Sequence, residues 1–250
     1  MMKLSASFFE AAEREAARRW DRAVASELMG LYPAHFAALG AEEETVAVFC
    51  RTVRDYAVAY GISGRRESYK LIVIGLARGA HVFHDPRFAP LARRTLGQLD
   101  IPADRRGALF CDGMEAWTSA TWEGVRLDVL GARLIERIDR HGPLATSRDA
   151  VASALHGMVL QSPTIAPPAV RVAFLDAVLA QADGYGLRKP ERRLAYAGGA
   201  LLHGVYWFDD PLMAMLRGAI ETARGPHDMR ERMGAIYTRL APPLEAPRES

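Results

Sequence analysis

Apolar residues return every third or fourth position along most of this chain, with charged residues filling the gaps. Leu4, Phe8, Ala12, Ala16, Trp20, Val24 and Leu28 fall at i, i+4 spacing, which predicts an opening amphipathic helix of about seven turns. Its other faces carry Glu10/Arg14 and Glu15/Arg19, each acid four residues before a base, the favourable orientation on a helix. Tyr32-Pro33 breaks the pattern, because proline disfavours helical geometry in the residue before it. A short apolar stretch, His35 to Leu39, follows and stops at Gly40.

The next pattern occurs twice. Residues 49–91 recur without a gap 125 positions later, with 12 identities in 43 positions. Tyr60-Gly61-Ile62 returns as Tyr185-Gly186-Leu187, and Phe83-His84-Asp85-Pro86 as Phe208-Asp209-Asp210-Pro211. Phe49/Phe174, Val53/Val178, Leu76/Leu201, Gly79/Gly204 and Leu91/Leu216 also match. A shared period picks out what a fold needs twice. The repeated unit reads as three helices. The first covers about Glu42 to Tyr60, with Val46, Phe49, Val53 and Ala57 inward, and Gly61 lies just past its end, where a left-handed residue satisfies the last carbonyls at least steric cost. The second covers roughly Arg65 to Val82. The third begins at Asp85-Pro86, Asp as N-cap and Pro at the first helical position. Gly186 and Asp210-Pro211 have the same use in the second unit.

Between the units a single long helical pattern contains Trp117, Thr121, Val125, Val129, Leu134 and Ile138 and is stopped by His141-Gly142-Pro143. A further helix is predicted from Ser147 to Leu160 with Thr146 as its cap. Ser162 to Pro168 is the clearest connector, and the Pro-rich stretch from Ala241 to Ser250 reads as a mobile tail. No period-2 alternation is long enough for a strand. The expected fold is all-α, two related multi-helix units packed as one helical protein, the first over residues 1–113 and the second over 114–250.

Bulk composition narrows the function classes. A chain of 250 residues, half hydrophobic and a quarter charged, has ample material for a core. Its net charge of +2 gives no electrostatic reason to expect nucleic acid. The most apolar run, Leu71 to Ala77, ends at Arg78 and is far shorter than the ~20 residues that span a bilayer. The opening residues lack the apolar core of a signal peptide. A cytoplasmic location, or export by a route that needs no cleaved signal, is therefore expected, without membrane contact. Cys50 and Cys111 are too few to staple the fold and read as reduced thiols.

Candidate chemistry is sparse. His81, His84 and Asp85 have metal-ligand flavour, since a helix brings residues three apart to one side. The second unit carries Tyr206, Asp209 and Asp210 at those places, and Asp85-Pro86 already fits a helix start. No metal or cofactor is therefore assigned. His203, Tyr206 and Trp207 close a helix with an aromatic, partly polar stretch of the type that anchors interfaces, and they are the candidate partner-binding residues. Phe208, the counterpart of Phe83, reads as core. Gly198-Gly199 in mid-helix costs about 1 kcal/mol per glycine, which points to a close helix crossing. No phosphate-loop spacing, GxSxG, HExxH or ordered Ser/His/Asp set occurs, and no catalytic residue is assigned.

The motifs carry a resemblance. Leu31-Tyr32-Pro33, Tyr60-Gly61-Ile62 and Phe83-His84-Asp85-Pro86 through Leu91-Ala92 resemble the small all-helical accessory proteins encoded beside spike (VgrG/PAAR) and effector genes of bacterial type VI secretion systems. Their pattern is a helix ending in an FP-like element, a YGI step, an apolar helix and FDxDPxxPWA. Here His84 replaces the acid and Leu91 the Trp, while Phe208 to Pro211 keeps the acid and loses the PWA ending. The resemblance covers about residues 15–97 and 174–216. It implies a non-enzymatic adaptor or chaperone for an effector or spike component. An immunity protein that neutralises a cognate toxin is the alternative within the same class. A small helical metal-dependent enzyme or effector using His81, His84 and Asp85 is the alternative from another.

Overall fold

The computed structural model describes residues 6–122, 126–158 and 168–240. Among them are twelve α-helices, three short 3-10 turns and no strand. The helices are α1 (Ala6–Leu31), α2 (Pro33–Leu39), α3 (Glu43–Ala59), α4 (Arg65–Arg78), α5 (Ala89–Thr95), α6 (Ala103–Trp122), α7 (Leu127–His141), α8 (Arg148–Leu155), α9 (Pro168–Gly184), α10 (Pro190–His203), α11 (Ala214–Glu221) and α12 (Pro226–Arg239). Among the described residues no helix is long and apolar enough to cross a membrane.

The expected punctuation holds in most places. Helix α1 stops at Leu31 before Pro33, and α2 ends at Gly40, whose φ of 61° is left-handed. Val24 and Leu28 of α1 are buried and Trp20 is half-buried, while Ala12 and Ala16 stay exposed. Leu4 and the side chain of Phe8 lie outside the described residues. Helices α3 and α9 begin and end 125 positions apart, as do α4 and α10, and α5 and α11 begin 125 apart. Phe49, Val53 and Ala57 on α3 and Phe174, Val178 and Ala182 on α9 face the core. Gly198 and Gly199 do mark close approaches, to Leu134 of α7 and to the Trp207 ring.

Four boundaries differ from the periodicity. The pattern read as one helix across 117–138 is two, because Arg126 is extended (φ −106°, ψ 129°) and starts α7 afresh; Thr121 and Val125 have no described side chain. Helix α4 ends at Arg78 rather than near Val82, since Gly79 takes φ 89°, ψ 152°, a region open essentially to glycine alone. Asp85-Pro86 opens a turn, and α5 begins at Ala89. The cap of α8 is Ser147, whose hydroxyl accepts from the Ala150 N–H at 3.2 Å, not Thr146; α8 ends at Leu155, and Leu160 lies outside the described residues. So do residues 162–167 of the connector and the tail from Ala241. Helix α6 runs unbroken across position 113 and packs back on preceding elements, Trp117 edge-on to Phe88 and Phe110 stacked on Phe83.

The turn glycines give a graded test. Gly61 and Gly186 have φ of 76° and 71°, and nothing lies within 4 Å of a Cβ added at Gly186. Gly186→Ala is expected to cost about 1–2 kcal/mol, the left-handed backbone term alone. At Gly79 the added Cβ would meet the His203 carbonyl oxygen at 2.2 Å, and at Gly204 the Arg78 carbonyl at 2.7 Å. Both are backbone atoms. Urea denaturation should therefore show Gly79→Ala and Gly204→Ala losing well over the Gly186→Ala value; equal losses would mean that the two helix ends are not in contact.

Candidate functional site

Helices α4 and α10 meet end to end. Gly79 closes α4 against the last carbonyl of α10, and Gly204 closes α10 against the last carbonyl of α4. From each glycine a strap leaves for the next turn, residues 79–85 and 204–210. The straps cap each other. The Ala80 N–H donates to the Asp210 carboxylate at 2.7 Å, and the Val205 N–H donates to that of Asp85 at 3.2 Å. Each carboxylate also accepts the N–H two residues on, just past its own strap, Leu212 for Asp210 at 2.9 Å and Arg87 for Asp85 at 2.9 Å. The four donors and acceptors sit at positions related by 125.

One element breaks the equivalence. Arg87, where the other strap has Leu212, forks onto Asp85 through Nε at 3.0 Å and Nη2 at 2.7 Å. It then reaches across to the carbonyls of Leu201 at 2.9 Å and Ala200 at 3.2 Å. Those are among the last carbonyls of α10, which a cation satisfies well. The guanidinium also lies 4.5 Å from the Phe174 ring centroid. Asp85 is therefore engaged by Arg87 and by the Val205 N–H, and among the described residues no three His, Cys, Asp or Glu side chains come together as a metal site, His81, His84 and Asp85 included.

The two imidazoles instead join an aromatic rim over the straps. The Tyr56 hydroxyl is 2.8 Å from His81 Nδ1, the His84 ring is edge-on to Tyr56 at 4.6 Å, and Tyr206 lies 6.0 Å from His81. Burial lowers the pKa of His81, with His84 adding to the effect and Asp209 opposing it. The Tyr185 hydroxyl donates to Asp209, and burial followed by that carboxylate raises the tyrosine's pKa. Tyr60 stacks on Phe83.

The expected contact triad is divided by the fold. His203 and Trp207 are 6% and 1% exposed, so neither presents a face to a partner. The Trp207 indole N–H donates to the Tyr196 carbonyl at 3.0 Å, and His203 Nε2 is 3.2 Å from the Tyr237 hydroxyl. Of the three, Tyr206 alone is partly exposed. Arg78, at the place equivalent to His203, is also buried; burial and then the Arg87 charge lower its pKa to about 9, and its guanidinium lies 5.0 Å from the Trp117 ring.

Sequence reading missed Arg87 and the two open grooves. A groove of about 370 Å³ lies between α8 and α9 over Phe174 and Leu201. A second, of about 390 Å³, runs between α4 and α6. The half-apolar faces of α4 and α9 were the available signal, but periodicity cannot say which apolar stripe a neighbour covers. Comparison with protein-family models, curated proteins and solved structures found no match.

Proposed function

We propose that this chain is a non-enzymatic binding module built from two related helical units, and that it serves as an adaptor or chaperone for a secretion effector or spike component. The observation that carries the reading is the reciprocal capping at the centre. Asp85 and Asp210, the charged residues common to both units, are buried and bonded to backbone N–H groups, and Arg87 adds a fork to Asp85. Carboxylates so engaged by backbone donors hold the two straps in one geometry. The junction holds two helical bodies in one orientation and leaves their outer faces and grooves open, which is what a gripping scaffold requires. The likeness to the type VI accessory proteins supplies the cellular setting, including the cytoplasm as the place of action.

The test is affinity purification from the native host with identification of co-purifying proteins. Recovery of a neighbouring effector together with a spike protein is the expected result. Recovery of a toxin alone, with rescue of cells that express it, would replace loading by immunity. Recovery of no protein with well-folded bait would overturn the binding-module reading.

A further inference from the structure

The groove between α4 and α6 is the place where one unit is covered and the other is not. Its α4 wall is formed by Val73, Ile74 and Ala77, and its α6 wall by Cys111, Asp112 and Glu115. Val73 and Ile74 are half-buried and Ala77 is exposed. The positions 125 further on are Gly198, Gly199 and Leu202 of α10, and all three are buried. There α7 lies against α10, with Leu134 on Gly198. The same helix packs on α12, with Gly131 against the Tyr237 ring and Asp139 paired to Arg230 at 2.9 Å. Leu130, Leu134 and Ile138 of α7 form its buried stripe. Thus α10 is covered by α7 at Gly198 and by the Trp207 ring at Gly199, the positions equivalent to the half-buried Val73 and Ile74 of α4.

The walls also say which helix would fit. Asp112 and Glu115 are exposed on the α6 side, and Lys70 of α4 is the one base among the lining residues, so two acids sit together on the α6 wall. An occupant must bring apolar residues to Val73 and Ile74 and positive charge to the acids. A second copy is a poor candidate. Its α7, the helix that lies on α10, is already buried against α10 and α12.

We propose that the α4–α6 groove seats one amphipathic helix of a partner protein, with Leu- or Ile-type side chains at i, i+4 and i+8 and Arg or Lys along its flank. The proposal rests on the binding-module reading and names the partner segment that such a module would grip.

The probes are two fluorescent, helix-stapled peptides with leucines at i, i+4 and i+8, one flanked by Arg and one by Glu. The readout is anisotropy titration of the full chain. The Arg-flanked peptide should bind and the Glu-flanked one should be weaker by roughly tenfold or more. Ile74→Asp should abolish binding. Asp112→Lys with Glu115→Lys should reverse the preference, a gain that misfolding cannot imitate. Failure of both peptides to bind, or an unchanged preference in the double variant, would overturn the proposal. Dimerisation of the wild-type chain that Ile74→Asp abolishes would also overturn it, in favour of a second copy. The same double variant used as bait in the native host separates the two readings. An effector retained equally by wild type and variant removes the groove but leaves the module; loss of the effector from the variant alone supports both.

Discussion

Asp85→Ala is expected to destabilise the protein by about 3–5 kcal/mol, because it strips the partner from a buried cation as well as from two N–H groups. Without Asp85, Arg87 keeps only the carbonyls of Ala200 and Leu201, and the Val205 N–H loses its acceptor inside the junction. Asp210→Ala orphans the Ala80 and Leu212 N–H groups but no arginine, so its cost should be smaller, about 1–3 kcal/mol for each buried donor left unpaired. Urea denaturation of the two single variants and of the double variant checks this. The residues share one junction, so the losses should be non-additive. An Asp85→Ala variant as stable as wild type, or losses that simply add, would show that the straps do not act as one unit. Asp85→Ala with Arg87→Leu should recover part of the loss, since Leu already serves at the equivalent position, Leu212.

Acidification should unfold the chain through His203, and Asp210 should resist it. His203 is enclosed by His35, Arg78 and Tyr237, and burial, then the two neighbouring bases, bring its pKa down to about 3 from 6.5. The unfolded chain takes up this proton near pH 6.5 and the folded chain only near 3, so the stability it lends is complete above pH 6.5 and is lost as pH falls towards 3. At about 1.4 kcal/mol per pH unit, the loss is on the order of several kcal/mol. Asp210 has the opposite sign. Burial raises its pKa to about 6 from 3.8, against the pull of the Ala80 and Leu212 N–H groups, so the folded chain binds that proton first. Its contribution is fullest below pH 3.8 and is lost as pH rises through 6. Stability measured between pH 7 and 3 should therefore fall more steeply in Asp210→Asn than in wild type and less steeply in His203→Gln. The same slope in all three proteins would remove both assignments.

Much of the local structure was legible because it depends on neighbours in the chain. Proline at a helix start and glycine after a helix end act over a few residues, and so Tyr32-Pro33, Gly40, Gly61 and Gly186 are legible as boundaries. Thr146 and Ser147 are adjacent hydroxyls that give one signal in sequence, and only the bond from the Ala150 N–H assigns the cap to Ser147. The break at Arg126 was hidden by apolar residues that continue at helical spacing on both sides of it. Asp85 and Asp210 were recognised as starting a segment, since each accepts the N–H two residues on. Their second bonds, to Val205 and Ala80, span 120 and 130 positions and leave no periodic trace. His203 and Trp207 show the converse. Polar tips at a helix end suggest an exposed anchor, but Tyr196 and Tyr237 bring partners to those tips and bury them.

Composition and spacing alone determined the all-helical class and the turns that punctuate the chain, since propensity, capping and period act within a few residues. Tertiary structure decided which faces are covered. That α7 lies on α10 at Gly198 while Val73 at the equivalent place on α4 is only half-buried, that Arg87 crosses to the end of α10, and that the two straps cap each other all depend on contacts between residues distant in the chain. Burial is a property of the assembled neighbours, and an apolar stripe reads the same in sequence whether a helix lies on it or not.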